Sequence, residues 1–131
     1  MKRSEEIFRR VMERDQNLLD VTKNEMNPEI FTKAVEMICR ARDIYVLGVR
    51  NCAPMAEYMA FYLNQVFPHV RLIHTNSSSE IFEQMLHVEE RDVVIGISFP
   101  RYSMRVLKAL EYSNGRKILD GKISETVRYI L

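Results

Sequence analysis

"IYVLGVRNCAP", residues 44–54, decides how the rest of this 131-residue chain is read. Its first six residues are an unbroken apolar run, mostly β-branched or aromatic, with Gly48 near the end. A strand wetted on one face alternates apolar and polar residues. A continuous run belongs to a strand covered on both faces, as in a parallel sheet. Pro54 then stands where a helix accepts proline, in its first turn. Ala56, Met59, Ala60, Leu63 and Phe67 mark one helical face beyond it.

The same unit recurs downstream. "VRLIHT", residues 70–75, reads as a second strand, and "NSSSE" leads into a helix carrying Ile81, Phe82, Met85 and Leu86. Ser77 and Glu80 are spaced as a capping box at its start. "VVIGIS", residues 93–98, is a third strand. A helix marked by Val106, Leu107 and Leu110 follows, closed by Asn114 and Gly115. Strands alternating with helices across short connections pair in parallel through right-handed crossovers. The expected fold class is therefore α/β, a parallel sheet with flanking helices.

N-terminal helices precede this unit. Ile7, Phe8, Val11, Leu18, Leu19 and Val21 recur at helical spacing from a start at Ser4, with an interruption around residues 15–17. Asn27 caps and Pro28 opens a second helix, whose apolar face is Ile30, Phe31, Ala34, Val35, Ile38 and Ala41. The expected organisation is a helical lead-in over residues 1–42 and a ligand-binding part over 43–131, together one globular domain.

Composition excludes several function classes. Nineteen Lys and Arg against eighteen Asp and Glu leave a net charge of +1. A protein that grips a phosphate backbone needs a basic surplus or stripe. One small anion needs only a few well-placed arginines. The amino terminus, "MKRSEEIFRR", is too charged for a signal peptide, and no apolar run approaches the length of a membrane span. Cys39 and Cys52 lack metal or redox spacing and read as free thiols in a reducing compartment. His69, His74 and His87 are scattered, so no metal site and no cofactor is expected. The expected location is the cytoplasm.

Ligands of an open parallel sheet bind beyond the carboxyl ends of its strands. Three segments reach that edge: Arg50-Asn51-Cys52, the serines from Ser77 to Ser79, and Ser98 to Ser103. Each leads into a helix start, where free N–H groups and the helix dipole favour an anion. Arg50 and Arg101 supply guanidinium groups that suit phosphate or carboxylate geometry. Serine is also an ordinary helix cap, so each hydroxyl alone carries a structural reading as well. The coincidence of arginine and hydroxyl groups at two strand exits, with a third rich in serine, points to a phosphate-type anion.

Two stretches, "ARDIYVLGVRNCAPMAEYMAFYL" and "RDVVIGISFPRYSMRVLKALEYSNG", resemble the SIS (sugar isomerase) domain, most closely the effector domain of MurR/RpiR-type transcription regulators. The resemblance covers roughly residues 7–115 and implies a flavodoxin-like three-layer αβα arrangement. It also implies phosphosugar binding by two strand-to-helix turns. Gly48 matches the first glycine of the family's Gly-x-Gly-x-Ser-like turn, Arg50 replaces the second, and Cys52 takes the serine position. Ser98 matches the first serine of the later Ser-x-Ser-Gly-x-Thr-like loop. There Pro100 and Arg101 replace the next serine and the glycine, and Ser103 stands for the threonine. The expected ligand-binding residues are Gly48, Arg50, Asn51, Cys52, Ser77, Ser78, Ser98, Arg101 and Ser103, with no catalytic residue.

The resemblance implies a sugar phosphate or similar small anion as ligand and a homo-oligomer, dimer or tetramer, whose arrangement responds to it. DNA is expected to be contacted only through a helix-turn-helix domain absent from this sequence. The family continues with a further strand and a Thr-Asp…Ser-Pro loop, whereas this sequence ends "RKILDGKISETVRYIL". The C-terminal strands are therefore expected to be missing or divergent. A phosphosugar isomerase on the same fold is the alternative, with Glu80 or Glu83 as base. An oligomerisation domain with a degenerate site is the third reading.

Overall fold

The computed structural model describes residues 1–75, 77–98 and 108–109 of the chain. Two helices come first, α1 (Lys2–Glu25) and α2 (Pro28–Arg40). The βα unit follows as β1 (Ile44–Gly48), α3 (Ala53–Asn64), β2 (Val70–Ile73), α4 (Ser78–Gln84) and β3 (Val93–Ile97). The chain is thus α/β, with a three-stranded parallel sheet in the order β2-β1-β3 and helices on its faces.

The continuous apolar runs are buried as their composition requires. Every residue of β1 and β3 is buried. Alternation along the strands divides the core into two layers. Ile44, Val46, Val93, Ile95 and Ile97 face α3, where Ala56 and Ala60 let the helix approach closely. Tyr45, Leu47, Val94 and Ile73 face the opposite way, against Ile81 and Met85 of α4 and its C-terminal end. Met37, half-buried on α2, touches both layers.

The caps test the local readings. The Asn27 side chain accepts from the N–H groups of Glu29 at 2.9 Å and Ile30 at 3.4 Å, as an N-cap should. Asn27→Ala is expected to cost about 1 kcal/mol, read as a lower urea midpoint. α1 starts at Lys2 instead of Ser4, with no side-chain cap, and runs without a break through residues 15–17. Charged side chains on an exposed helix face interrupt the apolar pattern without disturbing the backbone. The capping box does not form. Ser77 is the N-cap of α4 but makes no capping bond, its hydroxyl lying against that of Ser79. The Ser77 N–H that Glu80 would accept from donates to Thr75, whose hydroxyl donates to Glu80.

Of the expected fifth helix, after β3, only Lys108 and Ala109 are described, both helical, with Ala109 buried in the α4 layer. The expected tail elements lie outside the described residues. Among the described residues no helix is long and apolar enough to cross a membrane.

Candidate ligand site at the strand exits

The order β2-β1-β3 puts β1 in the centre, so its exit is flanked by the exits of both other strands. The chain leaves β1 through α3 toward β2, then crosses back to β3. The crevice where the connections diverge lies between the carboxyl ends of β1 and β3. Gly48 is opposite Ile97 in the ladder, so Ser98 follows at the level of Val49.

The β1 exit is shaped by two backbone features. A Cβ on Gly48 would lie 2.5 Å from the Cys52 carbonyl oxygen and 3.0 Å from the Ala56 Cβ. Glycine is therefore required here by space: the turn folds directly back over the strand end. That turn is a single 3₁₀ turn over Arg50–Cys52, closed by the Cys52 N–H donating to the Val49 carbonyl at 3.1 Å. It opens with Arg50 at φ 54°, the single positive φ outside glycine among the described residues. A left-handed residue with a Cβ costs on the order of 1–2 kcal/mol. Strain of this kind is concentrated at functional sites.

The side chains of the turn divide between rim and core. Arg50 and Asn51 are exposed. Cys52 is 4% exposed and packs with Ala56 and Ala60 under α3, its thiol 3.6 Å from the Asn51 side-chain oxygen. Its thiol is thus a core group, and only its backbone borders the rim. Spacing carried that signal, since Cys52, Ala56 and Ala60 stand four residues apart on one helical face. Ser98 is buried at the end of β3, 5% exposed.

The β2 exit forms a hydroxyl cluster on the other flank of the turn. Thr75 Oγ1 accepts from the Ser77 N–H at 3.1 Å and its hydroxyl donates to Glu80. The Ser77 and Ser79 hydroxyls are 3.0 Å apart. Ser78 opens α4. Thr75 was not expected to organise this corner; its place five residues before Glu80 was the signal. Arg101 and Ser103 lie outside the described residues.

His74, the first residue past β2, adds an ionisable group at that exit. His74 Nδ1 is 3.3 Å from Glu57 on α3, an ion pair when the imidazole is protonated. Cys39 is exposed on α2. Among the described residues no three His, Cys, Asp or Glu side chains are grouped to hold a metal ion.

The SIS domain family matches residues 37–119, which spans all three strands and their exits. The chain belongs to the SIS-domain family. Among solved structures, this SIS domain is similar to the sugar isomerase domain of an RpiR transcription factor from Sphaerobacter thermophilus. The two share a TM-score of 0.78 and 26% identity over 92% of this chain and 69% of the other. No curated protein matches the chain by sequence.

Proposed function

We propose that this SIS domain is the phosphosugar-binding effector part of an RpiR-type regulator acting in the cytoplasm. A sugar phosphate bound at the carboxyl edge of the sheet would control the arrangement of an oligomer. Residues 1–42 serve as the helical lead-in and 43–131 as the ligand-binding part. The observation that carries the reading is the strained arginine turn at the β1 exit, adjacent in the ladder to buried Ser98. A fixed positive charge beside hydroxyl and backbone N–H donors is what a phosphate monoester requires. Arg50 would carry the phosphate, with Ser98 and the serines of the β2 exit on the sugar hydroxyls. Arg101 and Ser103 complete the proposed rim. Similarity to the sugar isomerase domain of an RpiR transcription factor supports a regulatory use of the site.

The test is calorimetric titration with a panel of sugar phosphates beside the matching free sugars. At least one phosphate is expected to bind, and its free sugar is not. Arg50→Ala is expected to weaken that binding about 10- to 100-fold, the loss of one charge-assisted interaction. Silence across the panel at millimolar concentration would sink the proposal. Aldose–ketose interconversion in the same samples, followed by NMR and lost in Glu80→Gln, would transfer it to the isomerase reading.

The left-handed backbone makes a second, independent expectation. Arg50→Gly abolishes the same charge but removes the Cβ conflict. It is expected to be about 1 kcal/mol more stable than Arg50→Ala while binding no better. Equal urea midpoints for the two variants would show that the turn is unstrained.

A further inference from the structure

Helix α1 is 24 residues long and has no buried residue. Its apolar side chains nevertheless form a continuous stripe: Phe8 is 67% exposed, Leu18 53% and Leu19 71%, with Ile7, Val11 and Val21 beside them. With Met12, these side chains expose on the order of 700 Å². An isolated helix of this length is marginal in water, and tertiary packing normally supplies its stability.

The charges of α1 specify what covers it. Residues 2–14 contain five basic and three acidic residues, and residues 15–25 one basic and three acidic, so the halves carry +2 and −2. The switch falls at Arg14 and Asp15, near the helix midpoint. Seven residues after Ile7 and Phe8, both stand on the apolar stripe, since positions seven apart share a face. Neither makes an ion pair or side-chain hydrogen bond among the described residues, whereas Arg10 pairs with Glu6 at 2.5 Å and Lys23 with Asp20 at 3.7 Å. A charge of each sign at the centre of an apolar face is costly to bury unless the surface opposite supplies the complement.

A second copy of the same helix supplies it. We propose that α1 pairs antiparallel with α1 of a second copy of this chain, about a two-fold axis at Arg14 and Asp15. Arg14 of each copy then meets Asp15 of the other. The positive half of each helix lies along the negative half of its partner, and the helix dipoles oppose. The apolar residues before the axis, Phe8 and Val11, face those after it, Leu18 and Val21. A parallel pair would instead set like halves together and Arg14 against Arg14. Such a contact is isologous, as two-fold symmetry requires. It removes at most about 1,400 Å² from the stripe side chains of two copies, within the range of stable interfaces. No residue of α1 is among those proposed to bind the ligand, so the pairing and the ligand site are independent of each other.

Charge exchange tests it on the full chain by sedimentation equilibrium. The wild-type protein is expected to have about twice the 15.5 kDa chain mass. Arg14→Asp and Asp15→Arg, each placing like charges across the axis, are expected to raise the dissociation constant at least about tenfold. The double exchange, R14D with D15R, is expected to restore dimerisation. So is an equimolar mixture of the two single variants, which are complementary only across copies. Circular dichroism checks that each variant keeps its helix content, and the mixture supplies the answer even where one variant alone has lost helix. A monomeric wild type at 100-micromolar concentrations would overturn the proposal, with the stripe then covered within one chain. Dimers indifferent to both single exchanges, or a mixture that stays monomeric, would overturn it equally, placing the contact on another face.

Discussion

Asp92→Ala is expected to lower the unfolding free energy by about 3 kcal/mol, although Asp92 lies outside the proposed ligand site. The loss follows from the donors that its carboxylate satisfies. Asp92 is fully buried, yet it accepts four hydrogen bonds. Arg42 gives two of them, from Nε at 3.0 Å and Nη2 at 2.8 Å, and the backbone N–H groups of Asp43 and Glu89 give the others at 3.2 and 2.8 Å. Arg42 also reaches Glu89 at 3.0 Å. The hydrogen bond to Asp92 raises the guanidinium pKa above its ordinary value, with the surrounding carboxylates adding to it. The network ties the entrance of β1 to that of β3. Its backbone supports are the Arg42 N–H on Arg91 O at 2.8 Å and the Val93 N–H on Asp43 O at 3.0 Å.

Alanine at this position removes an acceptor from two backbone donors at once, and each unsatisfied buried donor costs on the order of 1–3 kcal/mol. Asparagine should lose less, about 2 kcal/mol, because one acceptor oxygen remains while its amide hydrogens oppose the donors around it. Urea unfolding gives both numbers. A loss below about 1 kcal/mol in the alanine variant would mean that water replaces the carboxylate and the entrance is not sealed.

The sequence hid this clasp because "RD" precedes both strands, at Arg42-Asp43 and at Arg91-Asp92. Only one of the two aspartates is engulfed. Asp43 stays partly open and pairs with Arg71 at 3.4 Å, whereas Asp92 is fully enclosed. Local pattern cannot distinguish them, since the difference is made by where β1 and β3 meet. The strands were legible for the opposite reason. An apolar run of five or six residues has little choice but to bury both faces, whatever its neighbours.

The candidate site was legible in part. Strand exits can be read from the ends of apolar runs, which located Arg50, the β2 serines and Ser98. That the β1 and β3 exits are adjacent depends on the order β2-β1-β3, a long-range property. The left-handed conformation of Arg50 was hidden as well, because turn conformation is usually announced by Gly or Asn. The apolar stripe of α1 was legible, but sequence periodicity does not say whether a stripe faces its own chain or another copy.

Gly48→Ala carries the other large effect, and it joins stability to the site. The obstruction is one of space: the added Cβ meets the Cys52 carbonyl oxygen at 2.5 Å, a backbone atom that no rotamer change can move. Relief requires the turn over Arg50–Cys52 to lift from the strand end, taking the start of α3 with it. Cys52 and Ala56 would then be drawn out of the layer they share with Ile44 and Val46. Overpacking of this kind costs about 1–3 kcal/mol, and the backbone partner puts the expected loss at the upper end. Valine should cost more still. The same displacement moves Arg50 relative to Ser98. Ligand affinity is therefore expected to fall in Gly48→Ala even where the protein is fully folded, a loss that destabilisation alone does not produce. Urea unfolding and calorimetry on one preparation separate the two effects. Undiminished affinity in a destabilised variant would detach the β1 turn from the ligand. A midpoint unchanged from wild type would show that the turn yields freely and that glycine is not what fixes the shape of the site.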